Sequence, residues 1–326
     1  MLKVLQAGRF FAAMAVVFVH AKTSISFFVE DLPDVVVSVL SFGYLGVDFF
    51  FVLSGFIIHY TMADSKRTAG EFAYNRLTRV FVPYWPIGLC LAIAYTVVPH
   101  LSAAVDYSWS WISTITLFPT EHDPALAVAW TLQHELVFYL TYAALHFKNR
   151  VFAGLSLWVF LIAASHFFGD ADLPILRLML SSINLEFVAG VLAAAVILRK
   201  FPFNAMVVVS ISATLLIAFT VRGAEHSDSI LVGLAIAVLL PLLCRAEKEG
   251  KIRVANILVE GGNVSYAIYL THNPLIALTS RAFGFFQVNW AIALFLSALI
   301  SVIAGTAYYL LWERPVMRLL KSRFFL

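Results

Sequence analysis

The sequence predicts an all-α, polytopic integral-membrane protein, with about ten transmembrane helices in one bundle and both termini cytoplasmic. Three observations carry that prediction. Hydrophobic residues make up 61% of the chain and charged residues only 13%, about half the charged share of a soluble globular protein. Apolar windows of about 20 residues, the length needed to cross a hydrocarbon core, recur from one end of the chain to the other. Lysine and arginine gather in alternate loops between those windows. No composition shift marks a second soluble domain, so residues 1–326 read as a single transmembrane domain.

In chain order the windows fall near 5–27, 41–62, 78–98, 126–147, 151–168, 177–198, 204–222, 229–245, 263–281 and 290–312. In the first, the run Gly8–His20 is apolar except for Arg9 and His20, and it is too long, and lacks the small-residue cleavage site, for a cleaved leader. The second opens on Gly43 and Gly46, small residues that permit close helix contact. The third follows Arg76-Leu77-Thr78-Arg79. Between the third and fourth, Trp109, Trp111, Phe118 and Pro119 suit an interfacial or partly inserted segment. The fourth carries Gln133-His134-Glu135, the sixth Glu186, and the ninth Tyr269, His272 and Pro274. The fifth and eighth are short. Between the eighth and ninth, the stretch from Arg245 to Glu260 mixes charges of both signs and reads as a solvated surface helix.

The basic residues orient the bundle. Lys3, Lys66, Arg67, Arg76, Arg79, Lys148, Arg150, Arg199, Lys200, Arg245, Lys248, Lys251, Arg253, Arg314, Arg318, Lys321 and Arg323 fall on one side. The other side carries Lys22, Arg177, Arg222 and Arg281 among acids such as Glu30, Asp31, Asp106 and Asp123. The positive-inside rule places the first side in the cytoplasm. A formal net charge of +3 and the absence of a basic stripe interleaved with aromatics exclude a nucleic-acid partner. Cys90 and Cys244 lie far apart in apolar runs and offer neither a disulfide framework nor metal-ligand spacing, so no metal is expected.

Charged groups inside hydrocarbon are costly, at least ~2.5 kcal/mol for an arginine at a helix centre. With the orientation assigned, His20, Asp48, Glu135, Glu186 and His272 fall at roughly one depth, in the outer half of the membrane. Such groups pair with one another or line a wet cavity. Each also has a structural reading. His20 can bond a backbone carbonyl, and Asp48 and Glu186 can satisfy neighbouring polar groups. His272 can take a carbonyl that Pro274 frees. A second cluster, Arg9, Arg76 and Arg79, lies at the cytoplasmic end, where guanidinium groups suit either phosphate contacts or headgroup snorkelling. Eleven residues separate Arg9 from His20, a helical rise of about 16 Å.

Together these residues resemble the acyltransferase-3 family of bacterial integral-membrane O-acyltransferases, over essentially the whole chain. The resemblance is carried by Arg9 and His20; by Gly46-Val47-Asp48-Phe49-Phe50-Phe51-Val52-Leu53-Ser54-Gly55-Phe56; by Arg76-Leu77-Thr78-Arg79; by Trp130 to Tyr139; by Tyr266 to Pro274; and by the closing Trp312-Glu313-Arg314-Pro315. It implies transfer of an acyl group, commonly acetyl, from acyl-coenzyme A as co-substrate to a hydroxyl of a glycan or lipid-linked saccharide. No tightly bound cofactor is expected, and the location is the bacterial inner (cytoplasmic) membrane. The chain resembles the compact members that decorate exopolysaccharide precursors. On this reading Arg9, Arg76 and Arg79 hold the donor phosphates and Ser54 lies along the donor arm. His20 is the base, with Asp48 or Glu135 orienting its ring, and His272, Tyr269 and Glu186 are secondary candidates. The acceptor contacts are expected from the loop Tyr107–Asp123. A proton-coupled flippase or exporter of a glycan intermediate is the alternative, since intramembrane carboxylates and histidines also mark proton relays. A non-catalytic subunit of a polysaccharide assembly is a third reading. Oligomeric state is not legible in the sequence.

Overall fold

A backbone inside hydrocarbon finds no water for its N–H and C=O groups, and an α-helix satisfies them within one segment. A computed structural model describes residues 2–103, 107–168, 171–199, 208, 211–217 and 229–324, and among them every regular element is helical. We number the described helices α1 (Lys3–Phe28), α2 (Asp34–Ser41), α3 (Leu45–Met62), α4 (Ala69–Val97), α5 (His100–Ala103), α6 (Trp111–Thr116), α7 (Trp130–His146), α8 (Val151–Phe168), α9 (Pro174–Met179), α10 (Asn184–Leu198), α11 (Ile230–Lys248), α12 (Asn256–Phe285), α13 (Trp290–Tyr308) and α14 (Arg314–Phe324). A single bridge between Trp109 and Asp123 is the one strand-like pairing among the described residues.

Among the described residues, six helical runs are long and apolar enough to cross a membrane: Lys3–Phe28, Asp34–Met62, Ala69–Val97, Pro174–Leu198, Ile230–Lys248 and Trp290–Leu320. The sequence predicted about ten. The expected segment at 151–168 is the apolar helix α8, while those at 126–147 and 263–281 are helical but fall below that standard. Helix α7 has 17 residues. Helix α12 has 30 residues but carries Asn263, Ser265, Thr271, His272 and Asn273 along its length. The segment 204–222 lies mostly outside the described residues. The stretch from Arg245 to Glu260 is not a separate surface helix. Helix α11 runs to Lys248, Gly250 turns the chain at φ 73°, and α12 starts at Asn256.

The chain divides into two compact units, with boundaries inside α1 and α12. The first comprises Met1–Thr23, Leu32–Arg67 and Ser182–Tyr266. Its core joins Val52, Leu53 and Phe56 of α3, Ala189, Ala193 and Ala194 of α10, and Ala237, Leu240 and Cys244 of α11, with Leu5 of α1. Without a hydrophobic drive between helices in lipid, small residues let backbones approach and gain dispersion contacts. A methyl on Gly55 would strike the Phe187 carbonyl, and one on Gly190 would strike the Val52 carbonyl, so α3 and α10 touch along their backbones. Gly46 meets the Ala12 carbonyl of α1 in the same way. The start of α1 is held by Glu247, whose carboxylate accepts from the Lys3 and Val4 amides at 2.8 and 2.9 Å. An anion at a helix N-terminus satisfies orphan donors and opposes the dipole.

The second unit comprises Ser24–Asp31, Thr68–Ser181 and Ala267–Leu326. Helix α4 opens on a capping box, in which Thr68 Oγ1 accepts from the Glu71 amide and the Glu71 carboxylate accepts from the Thr68 amide at 2.7 Å. Pro86, inside α4, has no N–H for the Val82 carbonyl one turn earlier. That carbonyl accepts instead from Trp312 Nε1 at 3.0 Å, and the neighbouring Pro83 carbonyl accepts from the Tyr308 hydroxyl at 2.7 Å. A π-helical turn at Tyr309–Glu313, between α13 and α14, separates those two donors by the wider spacing of that helix type. The closing motif therefore has a structural use, repairing a proline-broken hydrogen-bond ladder.

The segment after α5 is pinned to α4 by Tyr84, whose hydroxyl donates to the Thr114 carbonyl, and by Trp85, whose indole donates to the Ile115 carbonyl, at 2.8 and 2.9 Å. Tyr95, Trp109 and Trp111 follow one another as packed rings, with centroids 5.8 and 5.7 Å apart. Tyr107 donates to the Pro124 carbonyl at 2.6 Å, and burial pushes its phenol above the usual tyrosine range. Burial likewise raises the Asp123 carboxyl, with His122 opposing the shift.

Candidate functional site

The ten residues singled out in the sequence divide between the units. Arg9, His20, Asp48, Ser54 and Glu186 belong to the first, and Arg76, Arg79, Glu135, Tyr269 and His272 to the second.

In the first unit, Arg9 and His20 share the unbroken helix α1, so the rise of about 16 Å between them stands. Arg9 is buried, with 7% of its surface exposed. His20 Nδ1 lies 2.9 Å from the Val16 carbonyl. A carbonyl only accepts, so Nδ1 carries the hydrogen, and in the neutral ring Nε2 keeps its lone pair. The second nitrogen of a histidine is commonly set in this way by the bond its partner makes. Intramembrane helices reuse their own i−4 carbonyls readily, and here that bond does the orienting that was expected of Asp48.

Asp48 is engaged elsewhere. It sits in the first turn of α3, Glu186 in the first turn of α10, and each is 1% exposed. The two carboxyl groups face each other, and no other donor among the described residues reaches their oxygens. Gly233 of α11 makes room for the pair, since a Cβ there would lie 2.9 Å from Glu186 Cγ and 3.0 Å from its carboxyl carbon. The glycine contact between α3 and α10 lies one turn further along, because Val52 follows Asp48 and Gly190 follows Glu186 by four residues each. Backbone contact at that turn sets the carboxyl separation at this one. Ser54 lies on α3 next to Gly55 in the chain.

In the second unit, residues that the sequence assigned to different clusters meet. Arg76 of α4 was placed with Arg79 at the donor end and Glu135 of α7 with the chemistry. The Arg76 guanidinium lies over the Phe72 and Tyr139 rings, 5.6 and 5.4 Å from their centroids. The Tyr139 hydroxyl donates to the Glu135 carboxylate one turn away on the same helix. Arg79 and Glu135 are both electrostatic neighbours of Arg76. Glu135 also acts on Tyr269, whose hydroxyl lies 2.9 Å from Thr131 Oγ1 and donates to the Val128 carbonyl at 3.1 Å.

His272 is fully buried on α12. Its Nδ1 lies 2.6 Å from the Tyr269 carbonyl and 3.3 Å from that of Ile268, so it too presents Nε2 as the lone-pair nitrogen when neutral. Those carbonyls are its own i−3 and i−4 neighbours. The carbonyl that Pro274 deprives of a partner is that of Leu270, and α12 continues past the proline. The expected source of the histidine's acceptor was therefore the wrong turn of the helix.

Tyr139 and Thr131 were not singled out from the sequence. The spacing of Glu135 and Tyr139 at i and i+4 was the available signal, but it identifies a pair only once both are known to face inward.

A family model described as an acyltransferase domain, Acyl_transf_3, matches residues 3–310. The exopolysaccharide production protein ExoZ of Rhizobium meliloti (strain 1021) is 28% identical over 296 residues, covering 86% of this chain and 92% of that protein. The acyltransferase MdmB of Streptomyces mycarofaciens is 25% identical over 361 residues, covering 97% of this chain and 91% of that protein. No solved structure gives a significant match.

Proposed function

This chain belongs to the acyltransferase-domain family, and on that premise we propose that it moves an acyl group, acetyl in the first instance, from cytoplasmic acyl-coenzyme A to a hydroxyl of a glycan or lipid-linked saccharide, with His20 as general base. The observation that carries the base assignment is the bond from His20 Nδ1 to the Val16 carbonyl, which leaves Nε2 as the basic nitrogen. A histidine's reference pKa of ~6.5 suits it to accept and return a proton near neutral pH. In the proposed reaction the acceptor oxygen attacks the thioester carbonyl as Nε2 takes its proton. The tetrahedral intermediate then collapses with loss of the coenzyme A thiolate, which recovers that proton from the imidazolium. Arg9, buried about 16 Å along α1 from His20, and Arg79 would hold donor phosphates, and the gap matches the scale of a pantetheine arm. The saccharide acceptor is supported by the name of the relative ExoZ.

This reading includes a multi-pass placement in the bacterial inner membrane with about ten spans and cytoplasmic termini, and coenzyme A acting as co-substrate rather than resident cofactor. The positive-inside pattern supports the orientation. The test is purified protein in nanodiscs with labelled acetyl-coenzyme A and lipid-linked glycans, following thiol release and acceptor mass. His20→Ala should lower transfer by about 10²- to 10⁴-fold with the melting temperature kept. Full activity in that variant would overturn the base assignment. Transport of an unmodified glycan without thiol release would favour a flippase.

A further inference from the structure

We propose that Tyr139 is a positioning residue that joins Arg76 to Glu135, so that Arg76 serves the reaction through this link rather than by holding donor phosphates. The inference rests on the acyl-transfer reading and adds to it a residue and a changed role for an arginine.

Three features on two helices carry it. Tyr139 is 4% exposed, so its hydroxyl must find a partner within the protein, and the partner is the Glu135 carboxylate. Its ring face takes the Arg76 guanidinium at 5.4 Å, with the Phe72 ring at 5.6 Å. One aromatic side chain therefore takes a cation at its ring and donates to an anion from its hydroxyl, whose oxygen the Arg76 side chain also meets. These contacts follow the ring's own charge distribution, which is negative over the face and positive at the hydroxyl hydrogen, while the oxygen's lone pairs accept. A cation over the face draws electron density from the oxygen and strengthens the O–H as a donor. The carboxylate of Glu135 is thus held in one orientation, in a setting where hydrogen bonds to charged groups are the strong ones.

An arginine that grips phosphate keeps its forked N–H edge for that ligand. Arg76 instead lies back over α7 and its own α4 neighbour, and Glu135 is among its electrostatic neighbours. Arg79, one turn further along α4, remains for the donor.

The test uses the full chain in nanodiscs, with kcat, KM for acetyl-coenzyme A, and coenzyme A affinity by calorimetry measured separately. Tyr139→Phe keeps the ring beside Arg76 and deletes the hydroxyl that joins Arg76 to Glu135. Its kcat should fall about 10- to 100-fold, with KM and coenzyme A affinity unchanged. Arg76→Leu should show the same split, and Arg76→Lys, which keeps a cation over the ring, should recover part of the loss. The double variant Tyr139→Phe/Arg76→Leu should be little worse than either single, because both act on one link. Loss of coenzyme A affinity in Arg76→Leu with kcat kept would overturn the proposal, and so would an unchanged kcat in Tyr139→Phe. If the wild type transfers no acyl group, the acyl-transfer reading fails instead. Melting temperatures then decide the link by themselves: coupled losses in Tyr139→Phe and Glu135→Gln support it, and additive losses refute it.

Discussion

Adding one methyl at Gly190 tests whether helix α3 and helix α10 are set by their glycines. The alanine Cβ would strike the Val52 carbonyl and come within 2.8 Å of the Phe56 amide nitrogen, both of them backbone atoms. Side chains can rotate out of an overlap, but these atoms move only if a helix moves. Overpacking costs about 1–3 kcal/mol, and a backbone obstacle puts this site near the upper end. Alanine recovers about 1 kcal/mol of helix propensity relative to glycine, so a net loss of about 2 kcal/mol is expected. Gly55→Ala meets the Phe187 carbonyl in the same interface and should cost about the same. Once the helices have separated for one methyl, the second finds space already open. The double variant should therefore lose about as much as one single, not the sum. Gly70→Ala is the control, since nothing lies within 4 Å of that position, and it should be neutral or more stable than wild type. Unfolding in detergent followed by far-UV circular dichroism reads all four. Additive losses at Gly55 and Gly190, or a Gly190→Ala protein as stable as wild type, would refute the packing argument. Because Asp48 and Glu186 lie one turn from this contact, transfer activity should fall in parallel with stability.

Glu247→Ala removes the carboxylate that accepts from the Lys3 and Val4 amides. It should cost about 1–2 kcal/mol, with hydrogen exchange accelerated at the first turn of α1 and unaltered at α7. Glu186→Gln keeps the side-chain volume and brings an N–H₂ donor to Asp48, where no other donor reaches the carboxyl oxygens among the described residues. A hydrogen bond is worth about 0.5–1.5 kcal/mol net, so this variant should melt at or above the wild-type temperature. Glu186→Ala, which leaves a cavity and no donor, should melt lower, and equal destabilisation in both variants would show that the carboxyl pair is not what limits stability there.

Much of the molecule was legible because lipid leaves a chain few options. An apolar run must satisfy its own backbone, so helices fall where the windows fall, and nearly every expected segment within the described residues is helical. What went astray had local physical causes. Among the described residues, α7 and α12 do not stand out as spans by length and hydropathy alone, because α7 is short and α12 carries polar groups along its length. The expected surface helix after Arg245 dissolved into the ends of α11 and α12, joined by Gly250. Depth along a helix can be counted from sequence, and it grouped His20, Asp48, Glu135, Glu186 and His272 in one layer. Depth says nothing about direction around the helix axis. Asp48 turned toward Glu186, and both histidines turned their Nδ1 atoms onto their own helices.

By itself, then, the sequence determined the all-helical membrane character, the segments that fold, and the ionisable residues that burial makes costly, because hydropathy and charge act on each segment separately. Only the tertiary structure decided which of those residues are partners. Pairing depends on helix rotation and on how closely two backbones approach, and those are set by glycines pressing on carbonyls of another helix. Packing of α4 against α7 likewise joined Arg76 to Tyr139 and Glu135, residues some 60 positions apart in the chain, which no spacing along one helix could have brought together.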